Sequence, residues 1–274
     1  MSLAIKRRGR PRKQEVAPEK IRRPDHEVLA DLQERFGMLD RLTEASLRQN
    51  IRALVVSGAP GVGKTYNVLN VLENTPGARF ETVAGALSGV ELFKLGYRNR
   101  FPGNVVVLDD ADGIFTDEDA LNVLKALCDS GQKRRVSWLK DSATLRQDDV
   151  PQSYEFNGSF IFISNIDFQH YVDQGGNKYV AHFEALMSRS LYLDLRLHDR
   201  QAIHLWVHHV ATAGKMFAKE DISRDLGDRI LAFLQRHRDD FRELSLRTCM
   251  KICQLAKANP GDWEKMARVL LCRT

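Results

Sequence analysis

Long apolar runs are missing from this chain. No stretch approaches the ~20 residues that cross a bilayer, and the basic amino terminus lacks the apolar centre of a secretory leader. Cysteines are few: Cys128, Cys249, Cys253 and Cys272 in 274 residues, too sparse for a disulfide framework. Cys249 and Cys253 stand four apart and share a helix face, but no histidine or second cysteine pair lies at metal-ligand spacing, so they read as packed thiols. His204, His208 and His209 likewise have no nearby carboxylate or cysteine to complete a ligand set, and read as a packed or solvated helix face. These absences lead to the expectation of a reducing, cytoplasmic protein with no membrane partner. Apolar residues are not scarce. At 43% hydrophobic and 28% charged, the chain is globular and long enough for one large or two small domains.

Acidic residues are scarce in one place only. Residues 1–24 hold nine lysines and arginines against Glu15 and Glu19, so the whole formal charge of +5 resides in this segment and the rest is slightly acidic. With Pro11, Pro18 and Pro24 and few apolar residues, the segment is expected to be disordered on its own. Lys6-Arg7-Arg8-Gly9-Arg10-Pro11-Arg12-Lys13 resembles an AT-hook. Its core would be Arg8, Gly9, Arg10 and Pro11. Glycine lets the backbone lie close in a narrow groove, proline keeps it extended, and the arginines meet the negative potential of an A·T minor groove. The alternative is a polybasic tail that attracts any polyanion. Both readings name nucleic acid as a partner.

The chain is organised around Gly58-Ala59-Pro60-Gly61-Val62-Gly63-Lys64-Thr65, which fits G-x-x-x-x-G-K-[ST]. An apolar run over 51–57 reads as a buried strand before it. Val68, Leu69, Val71 and Leu72 mark a helix after it, closed by Asn74, Pro76 and Gly77. In a strand–loop–helix of this kind the backbone of Gly58, Pro60, Gly61, Val62 and Gly63 can wrap a phosphate at the positive end of a helix dipole. Lys64 would reach the β- and γ-phosphates of ATP, and the Thr65 hydroxyl would ligate Mg²⁺. Lys64 is expected to face solvent when no nucleotide is bound.

Further strands are read at 79–84, 104–108, 160–165 and 191–195, and helices at 90–98 and 117–129. One or two helices over 25–49, broken near Gly37, precede the first strand. After Leu197, helices are read at 200–213, 222–236, 244–257 and 262–271. Strands alternating with helices imply a parallel five-stranded sheet with right-handed crossovers, and ligand chemistry at the carboxyl ends of the strands. Val105-Val106-Val107-Leu108 followed by Asp109 is the Walker B pattern. Asp109 would hold Mg²⁺, through water because Mg²⁺ dehydrates reluctantly. Asp110 stands where a second carboxylate could orient the attacking water, with Asp112 or a more distant group as the alternative.

With these motifs in this order, residues 25–250 resemble the AAA+ family of ATPases. The resemblance implies an α/β P-loop core over 25–197 and a small all-helical lid over 198–274. It makes Asn165 similar to sensor 1, which helps place the hydrolytic water. Ser188-Arg189-Ser190 looks like an arginine-finger segment, which implies that Arg189 reaches the γ-phosphate held by a neighbouring subunit. Arg247, in Leu244-Ser245-Leu246-Arg247-Thr248, looks like sensor 2. Arg196, Arg200 and Arg242 are the competing arginines. Family members usually carry Asp-Glu where this chain has Asp109-Asp110, which puts fast hydrolysis in question.

Unfoldases of this family carry an aromatic residue in the loop after the second strand. Here that loop is Gly85-Ala86-Leu87-Ser88-Gly89, which argues against threading polypeptide. Lys94, Arg98 and Arg100 suit a phosphate backbone. A hairpin of 133–140 with 152–156 would either present basic and aromatic residues to DNA or cover a sheet edge. The reading is thus an ATP-hydrolysing AAA+ protein acting on DNA or a DNA-bound complex. It would assemble as a ring or spiral homo-oligomer, such as a hexamer, with a helicase, clamp or other remodelling factor as protein partner. It looks like the compact single-module members encoded by bacteriophages and mobile elements, which implies the host cytoplasm, and more loosely like helicase and clamp loaders. The alternatives are a protein-remodelling chaperone tethered to nucleic acid, and a nucleotide-gated DNA-binding scaffold with little turnover.

Overall fold

The computed structural model describes residues 23–176, 180–197 and 199–273; the AT-hook-like residues Arg8, Gly9, Arg10 and Pro11 lie outside them. In chain order the principal elements begin α1 (Asp25–Leu47), β1 (Ala53–Ser57), α2 (Lys64–Asn74), β2 (Arg79–Ala84), α3 (Gly89–Arg98) and β3 (Asn104–Asp109). After a 3₁₀ turn over Asp112–Thr116 come α4 (Glu118–Leu127), β4 (Arg135–Ser137), α5 (Ala143–Gln147), β5 (Ser153–Glu155), β6 (Ser159–Ser164), α6 (Phe168–Gln174), α7 (Val180–Met187) and β7 (Leu191–Asp194). The chain ends in α8 (Arg200–Thr212), α9 (Met216–Lys219), α10 (Arg224–Arg236), α11 (Leu246–Ala258) and α12 (Trp263–Leu271).

Five strands form one parallel sheet in the order β2-β3-β6-β1-β7. Every residue of β1 and β6 is buried, as a parallel sheet covered on both faces requires. The two-residue period sorts the side chains. Ala53, Val55, Val106, Leu108, Phe160 and Phe162 face a core shared with α3 and α4. Leu54, Val56, Val105, Val107, Ile161 and Ile163 face one shared with α1, α2 and Trp206 of α8. A third cluster, around Phe233, Ile252 and Trp263, is built from the carboxyl-terminal helices.

Helix α1 corrects one expectation: it runs unbroken through Gly37. Leu32, Phe36, Leu39, Thr43 and Ser46 form a buried stripe at helical spacing. That burial outweighs the ~1 kcal/mol that glycine costs a helix relative to alanine. Phe36 stacks on Trp206, with ring centroids 3.9 Å apart. The Trp206 indole N–H donates to the Val62 carbonyl at 2.9 Å. One aromatic pair therefore joins the first helix, the glycine loop and the carboxyl-terminal helices.

The antiparallel hairpin β4–β5 forms, but its aromatics are not offered to a ligand. Trp138, Tyr154 and Phe156 are buried, and the Tyr154 hydroxyl donates to the Phe93 carbonyl at 2.7 Å. Arg134 is buried as well, donating to the carbonyls of Leu127 and Gly158. The hairpin is thus the cover for α3 and α4. Lys94, Arg98 and Arg100 are also engaged internally. Lys94 pairs with Glu91 and Asp148, Arg98 pairs with Glu81, and Arg100 lies over Tyr97 and Phe101. Among the described residues these groups are poor candidates for holding a phosphate backbone.

Candidate nucleotide site

A cavity of about 620 Å³ opens at the carboxyl ends of the strands, between the sheet, α1 and the carboxyl-terminal helices. This lies within the ~300–1,000 Å³ usual for small-molecule sites. One end is the glycine loop. Gly61 and Gly63 have φ of 71° and 101°, left-handed values that glycine adopts without strain. Space forbids a side chain too, since a Cβ on Gly61 would stand 2.8 Å from that of Ser245. Ser245 caps α11 by accepting from the Thr248 N–H, and the Leu246 N–H donates to the Gly61 carbonyl at 2.9 Å. The helix that carries Arg247 is therefore fastened to the loop, and Arg247 lines the cavity.

Lys64 does not face solvent as expected. It is only 6% exposed, and its Nζ donates to the carbonyls of Gly58 and Ala59 at 2.7 and 3.0 Å and to Asn165 Oδ1 at 2.9 Å. Burial pulls its pKa down to about 8, against the opposing charges of Asp110 and Asp109. A buried ammonium needs acceptors, and these two carbonyls and the Asn165 amide oxygen supply them. The Asn165 amide then donates from Nδ2 to Asp110 Oδ1 at 2.8 Å, so one side chain links Lys64 to Asp110. Asp110 itself has φ of 50°, a left-handed conformation that costs a non-glycine residue energy and is typical of functional sites.

Thr65 Oγ1 stands 2.9 and 3.0 Å from the two carboxylate oxygens of Asp109. Burial raises the pKa of Asp109, with the Thr65 hydrogen bond working against it. Asp112 is also raised by burial and accepts from Ser164 Oγ at 2.7 Å. No cluster of three or more histidine, cysteine or acidic ligands occurs among the described residues. One hydroxyl and one carboxylate beside a phosphate cradle suit Mg²⁺, which keeps several waters and takes few protein ligands, and do not suit a closed zinc site.

The far end of the cavity is built from residues that local motifs did not flag. Gln33, Phe36, Gly37 and Asp40 come from one face of α1, Val210 from α8 and Met216 from α9. Their only sequence signal is the 33–36–37–40 spacing, which marks a helix face but not what it faces. The structure thus gathers Gly58, Pro60, Gly61, Val62, Gly63, Lys64, Thr65, Asp109, Asp110, Asn165 and Arg247 around one region. Arg189 is elsewhere. It lies two residues before β7, whose first residue pairs with Leu54 at the amino end of β1. There its Nη1 donates to the Ala185 carbonyl, and its Nε is 3.9 Å from Asp129. Of the competing arginines, Arg196 pairs with Asp194 and Asp167, and Arg200 donates to the carbonyls of Arg238 and Phe241.

Sheet order, glycine loop and strand-end carboxylate together define an AAA+ P-loop fold with a five-stranded parallel sheet. Domain III of the replication initiation protein DnaA from Thermotoga maritima has a similar structure. Its TM-score is 0.51 at 11% identity, over 88% of this chain and 92% of that one. The Thermotoga maritima RuvB Holliday junction branch migration motor gives 0.46 at 9% identity, over 88% and 68%. No family model matches the sequence. The chain is 31% identical over 255 residues, 92% of its own length and 78% of the relative's, to the "Uncharacterized 36.7 kDa protein in nrdC-mobD intergenic region" of Enterobacteria phage T4. It belongs to the family of that phage protein. No described helix is long and apolar enough to cross a membrane.

Proposed function

We propose that this chain binds and hydrolyses ATP in the cavity, and does so as an oligomer acting on DNA or on a DNA-bound complex. The observation that carries the reading is the contact of Thr65 with Asp109 beside the Lys64–Asn165 pair, all against one glycine loop. Backbone N–H groups of 58–65 and the amino end of α2 would hold the phosphates. Lys64 would exchange its carbonyl partners for phosphate oxygens, a stronger charge-assisted bond. Thr65 and Asp109 would hold Mg²⁺, which when bound neutralises charge on the β- and γ-phosphates. Asp110, with Asn165 fixing its Oδ1, would accept a hydrogen bond from the attacking water and orient it. Arg247 would meet phosphate charge from the carboxyl-terminal side.

Arg189 has no part in its own cavity, so its proposed role is on a neighbour: it would stabilise transition-state charge in an adjacent subunit of a ring or spiral. Residues 25–197 would form the nucleotide-binding core and 198–274 a lid that moves with nucleotide state. Support for DNA comes from the charge of residues 1–24, with Arg8, Gly9, Arg10 and Pro11 as the hook, and no longer from α3 or the hairpin. A replication or remodelling factor would be the protein partner.

A nucleotide-gated scaffold with slow turnover is the second reading. It is favoured by Asp110, which is one methylene shorter than glutamate and already tied to Asn165. The test is the steady-state ATPase rate with and without duplex DNA. Stimulation by DNA supports the first reading, ATP binding with negligible turnover the second. Absence of ATP binding would exclude both. Deleting residues 1–24 should weaken DNA binding and flatten its salt dependence while leaving basal hydrolysis in place.

A further inference from the structure

Asn165 links Lys64 to Asp110, so its amide stands in one orientation: Oδ1 accepts from the ammonium and Nδ2 donates to the carboxylate. The backbone around it is fixed by two buried serines and a carboxylate. Ser164 Oγ accepts from the Ile166 N–H at 2.9 Å and donates its own proton to Asp112 Oδ1 at 2.7 Å. Ser57 Oγ, at the end of β1, donates to the Ile166 carbonyl at 2.6 Å. The Gly58 N–H donates to the Ser164 carbonyl, and the Asp110 N–H to that of Ile163. The peptides on either side of Asn165 are thus tied both to the strand that enters the glycine loop and to the turn that follows Asp109.

A serine oxygen that accepts from the amide two residues on makes only a weak local turn by itself. Asp112 strengthens it. By taking the hydroxyl proton, the carboxylate leaves the lone pairs of Ser164 Oγ to the Ile166 N–H. Asp112 lies among Ala111, Ile114, Phe115 and Phe162, surroundings in which a hydrogen bond to a charged acceptor is stronger than in water. Its position differs from that of Asp110. Asp109, Asp110 and Asn165 line the cavity, and Asp112 is not among the described residues that do. We infer that Asp112 is a positioning residue for ATP hydrolysis: through Ser164 it holds Asn165 in the orientation that keeps Asp110 Oδ1 in place for the attacking water. The inference rests on the cavity being the ATP site. It gives Asp112 a task separate from that of the water-orienting carboxylate, which stays with Asp110.

The experiment has two readouts, one of which needs no nucleotide. In the free protein, hydrogen exchange followed by NMR should find the Ile166 amide protected. Asp112→Ala should speed its exchange at least ~10-fold. Asp112→Asn, whose side-chain oxygen can still accept from Ser164, should leave it near wild type. In steady-state hydrolysis, Asp112→Ala should lower kcat by ~10–100-fold with little change in KM, the scale of a ~1 Å misplacement. Asp112→Asn should restore most of kcat, and Asp112→Ala should cost nothing further in an Asn165→Ala background. If Asp112→Ala does not fold, Ser164→Ala removes the same link from its other end and carries the same expectations. Asp112→Asn as slow as Asp112→Ala would make Asp112 the water-orienting group itself and overturn the inference. Unchanged Ile166 exchange in folded Asp112→Ala, or an equal loss of kcat with and without Asn165, would overturn it too, as would a wild type that binds ATP without turnover. Lys64→Met separates the two levels. If it binds ATP as wild type does, the cavity is not the phosphate site. If it loses ATP while Asp112→Ala leaves Ile166 exchange and kcat unchanged, only the assignment of Asp112 is wrong.

Discussion

The hydroxyl of Thr65 meets the carboxylate of Asp109 across the sheet, 2.9 Å from one oxygen and 3.0 Å from the other. These residues are 44 apart in sequence. They meet because β1 and β3 both flank β6 in a parallel sheet, so the loops at their carboxyl ends emerge side by side. A hydroxyl and a carboxylate in contact form a hard-oxygen pair of the kind Mg²⁺ selects.

That contact makes Asp109→Asn informative. The amide keeps the shape and a hydrogen bond to Thr65 but loses the charge. Apparent Mg²⁺ affinity in the presence of ATP should fall at least ~10–100-fold, the loss found when even outer partners of a metal ligand are removed. Nucleotide binding in EDTA should change little. Measured Mg²⁺ dependence identical to wild type would remove Asp109 from the metal site.

Gly37 lies inside a helix that runs unbroken past it, and an added Cβ there would meet only Arg41 Nη1, at 3.7 Å. Gly37→Ala should therefore stabilise the protein by up to ~1 kcal/mol, read as a rise in melting temperature. Gly37→Phe should leave the fold in place and fill the far end of the cavity, weakening ATP binding at least tenfold. Destabilisation by alanine would mean that the wall is packed and not open.

Arg189 carries the claim of assembly. Arg189→Ala should bind ATP nearly as wild type does and hydrolyse it ~10³-fold more slowly, as loss of an arginine finger does elsewhere. Mixed with Lys64→Met, it should regain activity in a concentration-dependent way, because some interfaces then pair an intact loop with an intact arginine. A mixture that stays inactive while mixed oligomers are shown to form would leave Arg189 without a role in trans. Arg196 would be the next candidate to test.

Much of the fold was legible because its signals are local. β1, β3 and β6 carry continuous apolar runs, and β2 begins and ends where alternation placed it, at Arg79 and Ala84. The glycine loop, Asp109 and Asn165 were legible for the same reason. The far end of the cavity was not, because Asp40 and Met216 are brought together by packing alone. Gly37 was misread as a break because propensity cannot weigh the burial of Phe36 and Leu39. Basic residues misled in the opposite way. Lys94 and Arg98 looked available, yet their acidic partners Asp148 and Glu81 lie 54 and 17 residues away and become neighbours only on folding. The exposure of Lys64 was misjudged because its carbonyl partners belong to the turn that precedes it.

The central claim is that Lys64 and its loop bind the phosphates of ATP. It is tested most directly by calorimetric titration of wild type and Lys64→Met with ATP and Mg²⁺, with circular dichroism recorded on both. Methionine keeps the apolar stem in its buried setting and removes the three hydrogen bonds of the ammonium. The account predicts saturable binding of one ATP per chain in wild type, and a loss of at least ~100-fold in a folded Lys64→Met, since hydrogen bonds to charged groups are worth about 1.5–3 kcal/mol each. Equal affinity in the two folded proteins would contradict it.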